Sequence, residues 1–185
     1  MPKHLLTASA IALLTAMPLA ADEITDTLQS AIEAYEDGDV QYALDELEIA
    51  KQKLMGLKTG ALSAFLPVPP EGWTREDNPD VAQGLGMMGG GVAAEASYSN
   101  GSQTYTINLM ADNAMVASLA GMINNAAVMG MKVERVNRQK FAIQDSEIMG
   151  LVANRVLVRI SGADVDTMLA ALEEMDFKAM ASFGQ

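Results

Sequence analysis

Arg155-Val156-Leu157-Val158-Arg159-Ile160-Ser161-Gly162-Ala163-Asp164 is the stretch that decides the fold of this chain. Val156, Val158 and Ile160 alternate with Arg155, Leu157 and Arg159. That period of two lays one set of side chains on a buried sheet face. At Ser161 the pattern changes. Ser161-Gly162-Ala163-Asp164 has the form of a capping box with Asp in the usual Glu position. Val165, Met168, Leu169, Leu172 and Met175 then recur at helical spacing.

Short strands are also expected upstream, at 131–136, 141–143 and 148–153. Before them, 113–129 reads as a very apolar helix with Met115, Leu119, Met122, Ala126 and Met129 on one face and Gly130 as its stop. Two more strands, 93–98 and 104–110, flank Asn100-Gly101, a hairpin signal. Adjacent strands with short turns imply a mostly antiparallel sheet with two helices packed on one of its faces.

The preceding segment is punctuated rather than periodic. Three prolines among Pro67-Val68-Pro69-Pro70 favour an extended hinge. Trp73 follows as an expected core anchor. Residues 84–91 hold five glycines and read as a loop, in which Met87 and Met88 are contact candidates. Residues 22–60 read as a helical hairpin. Ile24, Leu28, Ile32 and Tyr35 mark the first helix, and Val40, Leu44, Leu47, Leu54 and Leu57 the second. Asp37-Gly38-Asp39 makes the turn.

The chain opens with Pro2-Lys3-His4, an apolar run over 5–20 and the small-residue exit Pro18-Leu19-Ala20-Ala21, the layout of a cleavable secretory signal. The expected organisation is therefore a signal at 1–21, a helical hairpin at 22–66, a Pro/Gly-rich linker and loop at 67–92, and an α+β domain at 93–185. The expected location is periplasmic or secreted. Cleavage after Ala20 or Ala21 removes His4, the chain's one histidine, and the chain has no cysteine. The mature form then lacks a lipid-anchor cysteine, any disulfide and the side chains most used as nucleophiles, general bases and soft metal ligands.

Two resemblances stand on these residues. Tyr35-Glu36-Asp37-Gly38-Asp39-Val40-Gln41-Tyr42-Ala43-Leu44, with Leu47 and Ala50, resembles one tetratricopeptide-type helix pair. That resemblance implies that the glycine turns the chain and that alanine and bulky positions form the helix contact. The Pro70-Glu71-Gly72-Trp73 entry, the strand meander and the last helix resemble the PsbP-like α/β/α sandwich family. The whole layout is similar to small uncharacterised exported bacterial proteins that join a helical hairpin to such a domain. That similarity implies no established activity.

Charge narrows the partners. Loss of Lys3 with the signal leaves 11 bases against 24 acids, a net charge of −13. Nucleic acid and anionic lipid are poor partners for such a chain. Residues 132–159 run against this trend, with six bases and three acids. Within them Arg138, Lys140, Arg155 and Arg159 are candidates for an anion or an acidic partner segment. The alternative favoured for these four is pairing with the acidic hairpin.

Motifs for chemistry are weak. Gly84-Leu85-Gly86-Met87-Met88-Gly89 fits the dinucleotide pattern, but a polar loop precedes it and a strand is expected after it. Lys58-Thr59-Gly60 has no Ser-x-x-Lys partner motif. Asp37-Gly38-Asp39 lacks a calcium-loop ligand series. No cofactor and no metal are expected. The functional expectation is a non-enzymatic accessory protein that binds another envelope protein. One alternative is a carrier of a small apolar ligand or Cu(I) that uses the Met-rich helix and loop. The second alternative is a carboxylate-based hydrolase.

Overall fold

The computed structural model of the 185-residue chain describes residues 19–87 and 90–185. Most of the expected signal therefore lies outside the described residues, as does Met88. The chain divides into two compact units, one ending at Lys53 and one spanning Leu54–Gln185.

The first unit is a helical hairpin made by α1 (Leu19–Glu36) and the beginning of α2 (Val40–Ser63). Its turn is a Schellman motif. Gly38 takes φ +82°, its N–H donates to the Tyr35 carbonyl at 3.1 Å, and the Asp39 N–H donates to the Ala34 carbonyl at 2.9 Å. Asp39 then caps α2 by accepting from the Tyr42 N–H at 3.1 Å. The helices meet through small residues: Ile24, Thr27, Ala31 and Ala34 of α1 and Ala43 and Ala50 of α2 are buried. Lys53 closes the open end, 3.5 Å from the Glu23 carboxylate and 3.3 Å from the Thr27 hydroxyl.

The second unit is α+β. Its strands are β1 (Thr74–Asp77), β2 (Val92–Ser99), β3 (Thr104–Ala111), β4 (Lys132–Val136), β5 (Gln139–Gln144), β6 (Glu147–Val152) and β7 (Val156–Ser161). They form one antiparallel sheet in the order β1-β2-β3-β7-β6-β5-β4. Helices α3 (Asp80–Met87), α4 (Ala114–Asn124), α5 (Val165–Glu173) and α6 (Phe177–Met180) complete the unit.

The alternation along β7 sorts the two sheet faces. Val156, Val158 and Ile160 enter the main core with Leu62 and Leu66 from the end of α2 and its exit, Met168 and Leu172 of α5, and Phe177 and Met180 of α6. Leu157 points the other way, into a smaller core with Met149, Leu151 and Val116 and Ile123 of α4. Helices thus cover both faces, not one. The expectation of a single covered face fails because β6 and β7 are apolar on both sides, which calls for two packing partners.

The proline segment is held by its carbonyls, since proline has no N–H to offer. Arg75 donates to the Leu66 carbonyl at 3.1 Å and to the Pro67 carbonyl at 3.3 Å, and Tyr98 donates to the Pro67 carbonyl at 2.7 Å. The stretch expected as linker and loop, 67–92, thus contains β1 and α3 and belongs to the sheet unit. Trp73 packs on the main core with its ring 5.1 Å from that of Tyr105.

Three local expectations are corrected. Gly84 to Met87 close helix α3 rather than forming a loop. Leu85 is buried, and the Gly90 N–H donates to its carbonyl at 3.0 Å. The α4 helix stops at Asn124, short of residue 129. The Asn125 amide takes the Gly121 carbonyl at 2.7 Å, the acceptor that a further helical N–H would use. Asp164, not Ser161, caps α5, accepting from the Thr167 N–H at 2.9 Å, while Ser161 still pairs in β7.

Candidate functional site

Large apolar side chains on the hairpin face solvent. Leu28, Ile32 and Tyr35 of α1 and Val40, Leu44 and Leu47 of α2 are all exposed, Tyr35 to 70 %, whereas Ala50 in the seam is 1 % exposed. Leu54 and Leu57, further along α2, are exposed as well. Of the expected stripes, Ile24 is buried in the helix contact, and the other named residues face solvent. Two leucines facing each other would hold the axes further apart than alanines do, and the small residues win the seam by close approach.

The rotation of the two stripes makes them one surface. Each α1 stripe residue follows a seam residue by one: Leu28 after Thr27, Ile32 after Ala31, Tyr35 after Ala34. One residue is about 100° of turn. On α2, Leu44 follows Ala43, and Val40 and Leu47 lie on the same line as Leu44. Both stripes are thus turned about a quarter of the circumference from the seam, in the same sense along each chain direction. The helices run antiparallel, so equal turns in the same sense bring both stripes to the same side.

Acids rim this face. Glu36 borders the α1 stripe and Glu48 the α2 stripe, both exposed, while Glu33 and Asp45 are turned about 130° from the stripe centres. Gln29 donates to Glu33 at 3.1 Å, Gln41 to Asp45 at 2.9 Å, and Lys51 pairs with Glu48 at 3.1 Å. Residues 22–53 carry ten acids and two lysines, a net of −8.

The four basic candidates do not form one patch. Arg138 sits in the β4–β5 turn at φ +69°, and Lys140 on β5 opposes Arg135 of β4. Arg159 on β7 faces Met149 and Asn108 and is ion-paired with Glu147. Arg155, just before β7, lies 3.7 Å from Asp112, which also pairs with Lys58. Two of the guanidinium groups therefore find carboxylates inside the sheet unit, and two strand widths separate Lys140 from β7. Met87 ends α3, and Met88 lies outside the described residues.

The geometry expected for a dinucleotide loop, a strand followed by a glycine turn and a helix, does not form. Gly84 and Gly86 lie inside α3 and precede β2. The space between α4 and the sheet, where the carrier alternative would put its ligand, is filled by Val116, Ile123, Met149, Leu151 and Leu157. Met115 and Met129 are exposed. A cleft of about 330 Å³ opens elsewhere, between Gly56, Thr59 and Gly60 of α2, the Asn78-Pro79 corner and Ala93 of β2. Asn78 and Glu95 are hydrogen-bonded at 2.8 Å beside it.

Among the described residues no group of three or more His, Cys, Asp or Glu side chains is placed to hold a metal ion, and no helix is long and apolar enough to cross a membrane. No family model matches the chain, and no curated protein or solved structure was found to match it.

Proposed function

We propose that this is an exported, non-enzymatic accessory protein that binds another envelope protein, and that the apolar face of the hairpin is its binding surface. One observation carries the reading: six large apolar side chains on one side of two helices, exposed and rimmed by carboxylates. A contiguous apolar patch with a polar rim is the usual mark of a docking surface. The seam beneath it is complete without these residues, so their burial is left for a partner. A photo-crosslinking residue at Leu44, expressed in the native envelope, is expected to capture one recurrent complex, while the same residue at Ser102 captures none. Equal labelling from both positions would end the reading. Export itself is tested by N-terminal sequencing, with Ala21 or Asp22 as the expected first residue.

A carrier of a small apolar ligand is the second reading, and the 330 Å³ cleft beside Gly56 and Gly60 favours it. A guest seen in native mass spectrometry and lost in Gly60→Leu would support it. A guest that survives that substitution would not be in the cleft.

A further inference from the structure

We infer that the hairpin face receives an amphipathic α-helix whose apolar stripe is flanked by basic residues. This rests on the hairpin face being a binding surface and adds the chemical class of its occupant. Three features select that class. The first is shape. Leu28 to Tyr35 and Val40 to Leu47 each cover eight residues, or about 10 Å of helix between the end positions. Two antiparallel ridges of that length leave between them a groove that a third helix fills with anchors at i, i+3 or i+4, and i+7.

The second is the backbone. Both walls are helices, whose N–H and C=O groups are internally bonded along their length. An extended peptide therefore finds no strand edge there to pair with.

The third is charge. Glu36 borders one side of the groove and Glu48 the other, on a unit of net charge −8. A helix with Lys or Arg beside its apolar stripe meets a carboxylate on either side. A second copy of this chain would instead press two acidic rims together, and an anionic lipid surface would be repelled.

The test uses the mature full chain and four labelled peptides of equal length. Three share one apolar helical stripe and differ in a polar face of Lys, Gln or Glu. The fourth has the Lys composition with the helical spacing scrambled. Fluorescence anisotropy is expected to show the Lys peptide binding about fivefold more tightly than the Gln peptide, the scale of two exposed ion pairs. The Glu peptide should bind more weakly still, and the scrambled one should not bind. The Lys–Gln gap should shrink as salt rises. Leu44→Gln with Leu47→Gln should weaken the Lys peptide at least about tenfold, as the loss of two buried apolar contacts would. Glu36→Gln with Glu48→Gln should weaken the Lys peptide and leave the Gln peptide unchanged.

Equal affinity for the Lys, Gln and Glu peptides would overturn the basic-helix inference and leave the hairpin as a binding surface. Binding of the scrambled peptide, or Lys-peptide binding indifferent to the Leu44 and Leu47 substitutions, would also overturn it. A dimer in sedimentation equilibrium that Leu44→Gln dissociates, with no peptide bound, would put a second copy on the face. A monomer that binds no peptide and gives no specific Leu44 crosslink would remove both readings.

Discussion

The Tyr98 phenol donates to the Pro67 carbonyl at 2.7 Å, in the interior of the sheet unit, and so ties the proline segment to β2. Tyr98 also stacks on Tyr105 of β3, with ring centroids 4.9 Å apart and planes 13° from parallel. Tyr98→Phe keeps the ring stack and leaves the carbonyl one donor short, with Arg75 still within 3.3 Å. The expected cost is about 1 kcal/mol in denaturant titrations at neutral pH.

The same phenol should govern alkaline stability. Burial pushes its pKa from 10.0 up to about 12. The folded state therefore holds the proton more tightly than the unfolded chain. The neutral phenol's contribution is whole below pH 10 and is lost as pH rises from 10 towards 12. Burial raises Tyr105 as well, so part of the slope should remain in Tyr98→Phe. Denaturation midpoints between pH 8 and pH 11.5 should fall more steeply for the wild type. Parallel curves would show that Tyr98 does not titrate in this window.

Asp164 gives the opposite sign. The Thr167 N–H and hydroxyl and the Gln103 amide all donate to its carboxylate, which holds its pKa below 3.8. Its contribution is therefore present above the unfolded value and is lost as pH falls through the lower folded one. Asp164→Asn keeps a capping oxygen but removes the charge. Its midpoint should drop less than the wild type's between pH 4.5 and pH 2.5, and equal drops would place the acid sensitivity elsewhere.

Gly150 should not tolerate a side chain. A Cβ there would press into the Phe141 ring and come within 2.9 Å of the Lys140 carbonyl. Gly150→Ala is expected to cost about 1–3 kcal/mol, the usual range for overpacking a sheet core. Phe141→Leu removes the ring. The double variant should then be less destabilised than the sum of the singles, which a mutant cycle reads directly. Gly56 and Gly60 are the contrast. Both lie within α2, and a Cβ at either would meet nothing within 4 Å. Alanine at each should stabilise by about 0.5–1 kcal/mol, because glycine is the poorer helix former.

The parts of the fold that were legible are those whose burial is one-sided and local. Val156, Val158 and Ile160 announce β7 by alternation, and Met168 and Leu172 announce α5 by helical spacing. The first strand is illegible because Thr74-Arg75-Glu76-Asp77 has no apolar member. Its register comes from pairing with β2, and Arg75 earns its core-side position through the Leu66 and Pro67 carbonyls. Helix α3 is hidden by Gly84 and Gly86, which propensity counts against a helix. The burial of Leu85 outweighs them. The basic excess in 132–159 was visible in composition. Its dispersal was not, because Asp112 and Glu147 reach Arg155 and Arg159 only once β3, β6 and β7 are paired.

The hairpin shows what periodicity leaves open. Its helices carry two stripes each, one of leucine-sized residues and one mostly of alanine, and spacing alone does not say which faces inward. The inward choice can be tested at Ala50 and Leu44. Ala50→Leu adds three side-chain carbons to a seam that is 1 % exposed at that residue. It should destabilise the hairpin by about 1–3 kcal/mol. Leu44→Gln changes an exposed residue and should stay within about 0.5 kcal/mol of the wild type. Helical circular dichroism of the full chain, followed through a denaturant titration, separates the two variants. If Leu44→Gln were the destabilising one and Ala50→Leu neutral, the leucine stripe would be the seam, and the face assigned to a basic helix would already be occupied within the hairpin.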